Sequence, residues 1–243
     1  MGLLVRLSDR AALDQACATW LACRLRSDVG PVVFAACGGR SVDGILAAMA
    51  ARRDVPWDRV HLFLVDERVV LAGGAQSNLR QLRQVLVAPL VSEGRMRASN
   101  VHAFHFPERP SIEAEAAAVE ACNRELQALG GRFDAVLLSA GEDGHVAALF
   151  PSHGSIEDRS DGYFRFDDSP KPPASRVTAS HRLLLRSRAA ALVFTGESKR
   201  EALAGFIACG APGSASGLDA RCIPACLVRA LPEWAAFTDL DAG

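Results

Sequence analysis

The sequence has no excess of charge of either sign, and this excludes binding that depends on a strong overall field. Its 27 lysine and arginine residues nearly balance its 28 aspartate and glutamate residues, so the formal net charge is -1. Proteins that bind nucleic acid or an anionic membrane through their overall charge have a clear basic excess. We therefore expect no nucleic-acid or membrane partner, and any bound anion must be held by a local cluster of side chains.

The sequence also lacks a long apolar run and a metal-binding cysteine pattern. No apolar run approaches the roughly 20 residues of a membrane-spanning helix, and acidic and polar residues appear too early for a secretory signal. The seven cysteines are scattered, and the closest pair, Cys222 and Cys226, has no histidine nearby. This spacing is a poor zinc signature. We expect seven reduced structural thiols, no metal site and a cytoplasmic protein.

The most informative stretch of the chain is 134–151. It begins with an apolar run over 135–138, which is typical of a strand buried on both faces. Two glycines, Gly141 and Gly144, then predict a sharp turn, and the residues from 146 to 150 predict one helical turn ending before Pro151. The turn carries Asp143 and His145. A strand that ends in a glycine-rich turn is a common way for an α/β fold to present reactive groups.

Further buried strands are predicted over 32–36, 60–65 and 190–194, and they alternate with amphipathic helices over 11–26, 111–129 and 200–207. This alternation predicts an α/β fold: an open, mainly parallel sheet with helices on both faces. We expect one domain over residues 1–243. Residues 152–175 are predicted to form a long polar loop, and residues 234–237 a final edge strand.

Polar groups follow four of the predicted strands directly. They are Gly38, Gly39, Arg40 and Ser41; Asp66, Glu67 and Arg68; the turn 141–145; and Thr195, Gly196 and Lys199. The loops at the carboxyl ends of parallel strands line the ligand crevice of an open sheet. The first group suits a backbone cradle for phosphate, and Arg68 and Lys199 suit an anion clamp. A satisfied tight turn and solvated surface charges are the structural alternatives for the same residues.

His145 is suited to general-base chemistry near neutral pH, with Asp143 two residues earlier to orient its ring. Ser139 lacks the frame of a nucleophile elbow, and two residues are too few for a metal site. These residues favour a water molecule activated by His145, acting on a phosphorylated substrate held by Arg68 and Lys199.

Taken together, these motifs resemble the 6-phosphogluconolactonase family over nearly the whole chain. The matches in chain order are Gly38-Gly39, Asp66-Glu67-Arg68, Ser77-Asn78, residues 141–145 with Ala147, Leu149, Phe150 and Pro151, Pro172-Pro173, residues 176–178, Thr195-Gly196 with Lys199, and Asp239 with Ala242. The fourth of these matches is the most specific to the family.

The resemblance implies a Rossmann-like fold, similar to ribose-5-phosphate isomerase and glucosamine-6-phosphate deaminase. It implies a metal-independent esterase without a cofactor, which hydrolyses 6-phospho-D-glucono-1,5-lactone. His145 is then the general base, supported by Asp143, and Arg68 and Lys199 contact the phosphate. The other implied substrate-binding residues are Gly38, Gly39, Arg40, Ser41, Asp66, Asn78, Gly141, Gly144 and Arg176. The lactone is the implied partner, and functional coupling to glucose-6-phosphate dehydrogenase, which makes it, is left open.

The sequence departs from the family pattern in the first loop, where Arg40 replaces a serine and Val42 a proline. Val65 replaces a glycine, and Ser139 and Ala140 replace a Gly-Met pair. Arg40 puts the geometry of the backbone cradle in question, although its charge suits a phosphate contact.

Two other functions fit parts of the pattern. An amino-sugar-phosphate deaminase or isomerase shares the Asp-Gly-His turn, but that family resembles Asp-Glu-Tyr and Phe-Asn-Glu-Pro where this chain has Arg68 and Leu149-Phe150-Pro151. A non-catalytic sugar-phosphate sensor that regulates transcription needs a helix-turn-helix segment. Residues 1–30 predict a single helix before the first strand, which disfavours the sensor.

Overall fold

The computed structural model describes residues 2–27, 29–71, 73–106, 111–209 and 219–241. Seven parallel strands form the main sheet, and three antiparallel strands form a second, small sheet. In chain order the strands are β1 (Gly2–Arg6), β2 (Val32–Ala36), β3 (Val60–Leu64), β4 (Asp66–Arg68), β5 (Val101–His102), β6 (Ala135–Ser139), β7 (Tyr163–Phe166), β8 (Arg176–Ala179), β9 (Ala189–Phe194) and β10 (Glu233–Thr238).

Eight α-helices are placed between these strands within the described ranges. They are α1 (Arg10–Leu25), α2 (Asp43–Ala51), α3 (Asn78–Leu82), α4 (Ala88–Ser92), α5 (Ile112–Ala128), α6 (Gly154–Glu157), α7 (His181–Leu185) and α8 (Arg200–Ala208). A π-helical turn, Arg83–Val87, joins α3 to α4, and 3₁₀ turns cover Ala98–Asn100, Glu197–Lys199 and Pro224–Ala230.

The order of the main sheet is β1-β10-β9-β6-β2-β3-β5, and each of its strand pairs is parallel. Every residue of β2 and β9 is buried, because other elements cover both faces of the central strands. The small sheet has the order β4-β8-β7, and β4 begins two residues after β3 ends. The predicted α/β class with an open, mainly parallel sheet is therefore confirmed.

The two outer strands at one side of the sheet differ from the prediction. Gly2–Arg6 forms a strand that the sequence analysis did not predict, since most of it is only half-buried or exposed and shows no clear alternation. It pairs with Glu233–Thr238, which also pairs with β9. The predicted edge strand at 234–237 is therefore an interior strand, and its position as an edge was wrong.

Three local predictions were also wrong. Residues 146–150 form no helical turn: Ala147 has a φ of 53°, and Val146 and Leu149 form an isolated β-bridge. The stretch 152–175 contains α6 and β7, so it is not one long loop. The cysteines are not all free thiols, because Cys209 and Cys226 form a disulfide.

No helix in the described ranges has the length and hydropathy that a membrane span requires. The histidine, cysteine, aspartate and glutamate side chains of the same ranges form no group of three or more suited to a metal ion.

Candidate active site

The four polar loops follow four strands that are adjacent in space. β9, β6, β2 and β3 are consecutive in the main sheet, and all four run in the same direction. Their carboxyl ends therefore lie along one edge of the sheet. The segments bearing Gly38, Arg68, His145 and Lys199 begin at this edge, although the one with Arg68 is strand β4 and not the loop that was predicted.

Asp143 and His145 form a hydrogen-bonded pair in the loop after β6. The His145 Nδ1 lies 2.5 Å from the Asp143 Oδ1, and the backbone N–H of His145 donates to the same oxygen at 3.2 Å. An ionised carboxylate only accepts hydrogen bonds, so Nδ1 carries a proton, and in the neutral imidazole the lone pair is then on Nε2. The ring of Phe150 packs against the imidazole of His145, with 4.8 Å between the two ring centroids.

Glycine at position 141 is required because the imidazole packs on its backbone. A β-carbon there would lie 2.0 Å from the His145 Nδ1, well inside contact distance. The Gly141 N–H donates to the His145 carbonyl at 2.8 Å, and the Gly144 N–H donates to the Gly141 carbonyl at 3.1 Å. Gly144 has a φ of 79°, which glycine adopts without strain.

A lysine that the sequence analysis did not single out completes the surroundings of Asp143. The Lys171 Nζ lies 3.1 Å from the Asp143 Oδ2, on the oxygen that His145 does not use. Partial burial alone would raise the pKa of Asp143. The hydrogen bonds and charges of His145 and Lys171 outweigh that effect, so the pKa of Asp143 is lowered. Asp143 is therefore ionised at neutral pH.

Arg68 ends β4 and has a donor without a partner. Its Nη1 donates to the Gln76 carbonyl at 2.7 Å, whereas its buried Nε finds no acceptor in the described part of the chain. Burial raises the pKa of the neighbouring Asp66, and the positive charge of Arg68 opposes that shift. A buried, unsatisfied donor on a cation suits an anionic ligand.

Glu67 is a structural acid that the sequence analysis treated only as part of a charge cluster. Its buried carboxylate accepts from the backbone N–H groups of Arg68, Asn78 and Leu79 at 2.8 Å each, and from the Ser77 hydroxyl at 2.9 Å. Burial raises the pKa of Glu67, and these hydrogen bonds oppose the shift. Glu67 thus joins β4 to the N-terminus of α3. An acid close to a helix start is a known signal, but here it comes from another element.

The loop after β2 packs against α3, and this packing uses part of the expected phosphate cradle. A β-carbon at Gly38 would lie 2.3 Å from the Asn78 Oδ1, so only glycine fits there. Gly39, with a φ of 111°, donates its N–H to the Gln81 Oε1 at 2.7 Å, and Gln81 donates back to the Gly39 carbonyl at 2.9 Å. The N–H of Gly39 is therefore occupied. No sequence signal marks Gln81 for this role.

The remaining first-loop residues lie as follows. Arg40 is exposed at the sheet edge. The Ser41 hydroxyl is 2.7 Å from the Ser139 hydroxyl, which joins the loops after β2 and β6. Asn78 is buried and donates its Nδ2 to the Asp66 carbonyl at 2.9 Å. Asn78 therefore ties the α3 start to β4 as well as closing against Gly38.

Arg176 is buried and holds a loop. Its Nε donates to the Pro173 carbonyl at 2.9 Å, and its Nη2 donates to the Pro172 and Lys171 carbonyls at 3.0 and 3.1 Å. Burial and the charge of Arg68, its register partner across β4 and β8, lower the pKa of Arg176. The predicted direct contact between Arg176 and the substrate stays a prediction that would rest on Nη1.

Lys199 lies at the start of α8, in the loop after β9. Burial lowers the pKa of Lys199, and the charge of Lys171 adds to this, while Glu142 and Asp143 oppose it. Within the described ranges Lys199 has no ion pair, unlike Lys171. It is therefore a half-buried cation available to an anion. The loop itself is held by Asp239, whose Oδ1 accepts from the Gly196 N–H at 2.9 Å.

With this geometry established, comparison with known proteins identifies the family. The model of the family of glucosamine-6-phosphate isomerases and 6-phosphogluconolactonase matches residues 8–233. The chain belongs to this family.

Relatives and solved structures within the family cover most of the chain. The 6-phosphogluconolactonase of Borreliella burgdorferi is 36% identical over 172 residues, which are 71% of each chain. That of Streptomyces coelicolor is 33% identical over 178 residues, covering 69% of this chain and 67% of the relative. The crystal structure of 6-phosphogluconolactonase from Thermotoga maritima superposes with a TM-score of 0.78 at 25% identity, covering 98% of this chain and 99% of that one.

A monomeric glucosamine-6-phosphate deaminase shares the fold, with a TM-score of 0.75, 15% identity and coverage of 97% of this chain and 96% of the deaminase. The predicted likeness to the glucosamine-6-phosphate deaminase fold is thus confirmed. Three residues of the candidate site have roles that no local sequence pattern indicated: Glu67, Gln81 and Lys171.

Proposed function

We propose that this enzyme hydrolyses 6-phospho-D-glucono-1,5-lactone to 6-phospho-D-gluconate, the second step of the oxidative pentose phosphate pathway. The observation that carries the proposal is the Asp143–His145 pair, in which the Asp143 Oδ1 lies 2.5 Å from the His145 Nδ1. Two cations with available donors, Arg68 and Lys199, lie at the same edge of the sheet. The family relatives named 6-phosphogluconolactonase support the choice of substrate.

In the proposed reaction, the His145 Nε2 removes a proton from a water molecule, and the water oxygen attacks the lactone carbonyl carbon. The tetrahedral intermediate then collapses, the bond from carbon 1 to the ring oxygen breaks, and the imidazolium returns its proton to that oxygen. The new carboxylic acid loses its proton to solvent. The ionised Asp143 keeps the imidazole in the required tautomer and stabilises the imidazolium while it exists.

The phosphate of the substrate is held by the cations around this pair. Arg68 offers its unpartnered Nε, Lys199 its free ammonium, and Arg40 an exposed guanidinium in the adjacent loop. The remaining residues of the proposed site shape the backbone around them or hold it in place: Gly38, Gly39, Ser41, Asp66, Asn78, Gly141, Gly144 and Arg176. A lactone bound by a remote phosphate is placed for attack, which converts binding energy into rate.

The test is the opening of freshly made lactone, measured as acid release, by the wild type and by His145→Ala. Loss of the general base is expected to lower kcat by about 10²- to 10⁴-fold. Equal rates for the two proteins would remove His145 from the mechanism. A wild-type rate no faster than spontaneous opening would remove the lactonase function, and ammonia release from glucosamine 6-phosphate would indicate a deaminase instead.

Two further proposals concern the cell. We infer that the enzyme acts in the cytoplasm and that its lactone substrate comes from glucose-6-phosphate dehydrogenase. Functional coupling between the two enzymes stays a prediction.

A further inference from the structure

Lys171 and His145 contact different oxygens of the Asp143 carboxylate. The Asp143 Oδ1 bonds the imidazole at 2.5 Å, and the Oδ2 lies 3.1 Å from the Lys171 Nζ. Each carboxylate oxygen therefore has its own charged or polar partner. The two contacts together fix the plane of the Asp143 carboxylate, because a partial rotation about its Cβ–Cγ bond would lengthen both of them.

The backbone of Lys171 is fixed from two sides. The Ser169 hydroxyl donates to the Lys171 carbonyl at 2.9 Å and lies 3.3 Å from the Lys171 nitrogen. The Arg176 Nη2 donates to the same carbonyl at 3.1 Å. Arg176 is only 5% exposed and belongs to β8, which pairs with the strand that carries Arg68. The buried arginine thus connects Lys171 to the rigid small sheet beside the site.

Stability does not explain this construction. The Lys171 side chain is 41% exposed, and an ion pair this exposed contributes little to folding, since solvent screens it and ordering a lysine costs entropy. A loop that is anchored by a buried arginine and presents a lysine to Asp143 is more readily explained by the chemistry of the pair.

We propose that Lys171 is a positioning residue of the Asp143–His145 pair: it fixes the carboxylate that orients the imidazole and places a positive charge beside the pair. The inference rests on the proposed function, in which unprotonated His145 is the base. Because a nearby cation opposes protonation of the ring, Lys171 keeps the base available at lower pH. Lys199 has no ion pair in the described ranges. The two lysines therefore have different roles: Lys171 positions the Asp143–His145 pair, and Lys199 binds the phosphate.

The other charged groups around the pair are Glu142, Lys199 and Asp66, in the loops after β6 and β9 and in β4. They are unchanged when Lys171 is replaced, so a change in pH dependence reports the loss of its ammonium alone.

The first experiment measures kcat and KM for lactone opening across pH in Lys171→Met, Lys171→Arg and Lys199→Met. In Lys171→Met the acid limb of the profile is expected to move to higher pH by about 0.5 to 1 unit, since the ammonium that shares the Asp143 carboxylate with the imidazole is removed. Its KM should change less than about twofold. Lys171→Arg should restore the acid limb, and Lys199→Met should mainly raise KM.

Arg124→Met is the matched control, because it removes one exposed positive charge on α5 and should leave the acid limb in place. An unmoved acid limb in Lys171→Met would overturn the proposal, and a KM raised tenfold or more in the same variant would make Lys171 a phosphate ligand. Thermal melts establish that each variant is folded. Lys171→Gln provides a second neutral variant if Lys171→Met is not folded.

A second measurement is independent of the substrate. The ring protons of His145, assigned by their loss in His145→Ala, are titrated by NMR in the wild type and in folded Lys171→Met. The midpoint is expected at higher pH in the variant, and an unchanged midpoint would overturn the proposal. If the wild type does not accelerate lactone opening, the proposed function fails, and this titration still decides the role of Lys171.

Discussion

The orientation of His145 depends on a residue that has no side chain. Because a β-carbon at position 141 would lie 2.0 Å from Nδ1 and 2.5 Å from the Asp143 Oδ1, the whole pair occupies space that only glycine leaves free. The family motif marks Gly141, but its steric role appears only in three dimensions. The glycine is thus part of the geometry that aligns base and carboxylate.

Asp143→Asn is predicted to lower kcat by about 10²- to 10⁴-fold with little change in KM. An asparagine amide can donate to Nδ1, which favours the tautomer with a proton on Nε2 and removes the lone pair that the base needs. Steady-state kinetics of lactone opening measure the effect. A variant that keeps wild-type kcat would show that the carboxylate is dispensable.

The same substitution should change how stability depends on pH. The pKa of Asp143 is lowered in the folded protein, so the ionised carboxylate stabilises the fold above the unfolded value of about 3.9. That stabilisation is lost as the pH falls through the folded pKa. The difference in Tm between wild type and Asp143→Asn should therefore be largest near neutral pH and shrink below about pH 4. A difference that stays constant across this range would contradict the assignment.

At the scale of elements, the start of α3 shows what a local pattern can and cannot predict. Serine is a residue type that favours the N-cap position, and the Ser77 hydroxyl accepts from the Arg80 N–H. The larger contribution comes from Glu67, which lies in β4 and reaches the same helix start across a loop. Sequence spacing does not report a contact between elements, so this partner was missed.

Glu67→Gln is predicted to destabilise the protein by about 1–3 kcal/mol, which corresponds to a Tm lower by roughly 2–12 °C. The carboxylate accepts four hydrogen bonds, whereas a glutamine offers one oxygen and turns an amide donor toward buried N–H groups. Calorimetry or a circular-dichroism melt at neutral pH measures the shift.

Glu120→Gln is the control for this prediction, since Glu120 is exposed on α5 and its loss should change stability by less than about 0.5 kcal/mol. If the two variants melted together, Glu67 would not hold β4 to α3. Because Asn78 follows Ser77 and closes against Gly38, a weakened helix start should also raise KM.

The buried parallel strands of the main sheet are predictable from the sequence, whereas their neighbours in the sheet are not. Continuous apolar runs marked β2, β3, β6 and β9, because burial on both faces leaves a strong local signal. The strand order depends on crossovers that no local pattern encodes, and β1 is too exposed to show a period. The extent of the single domain over residues 1–243 stays a prediction.

The candidate site, like the sheet, was predictable from the sequence only in part. The loops that directly follow buried strands were predicted with their reactive residues, since the sheet edge brings them together. Lys171 lies in a polar stretch without periodicity, and Gln81 lies on a short helix. Both reach the site only through tertiary contacts. The Arg176 Nη2 donates to the Lys171 carbonyl, and the Gly39 N–H donates to the Gln81 Oε1.

The disulfide between Cys209 and Cys226 changes what is expected of the molecule in a reducing environment. Its cysteines are 17 residues apart, and closing a loop of about that length stabilises a fold by about 3 kcal/mol, mainly through the unfolded chain. A strong reductant is therefore predicted to lower the Tm by roughly 6–12 °C for a chain of this size. The check is a comparison of the wild-type Tm in reductant with the Tm of Cys226→Ser.

Cys226→Ser should melt at the lower temperature with or without reductant, because it cannot form the bond. Cys222→Ser is the matched control, since Cys222 is a free, exposed thiol near the same 3₁₀ turn, and it should respond to reductant like the wild type. A wild-type Tm that reductant leaves unchanged would mean that a disulfide between Cys209 and Cys226 does not stabilise the fold in solution. The thiols of both residues would then be reduced, as the scattered cysteines of the sequence first suggested.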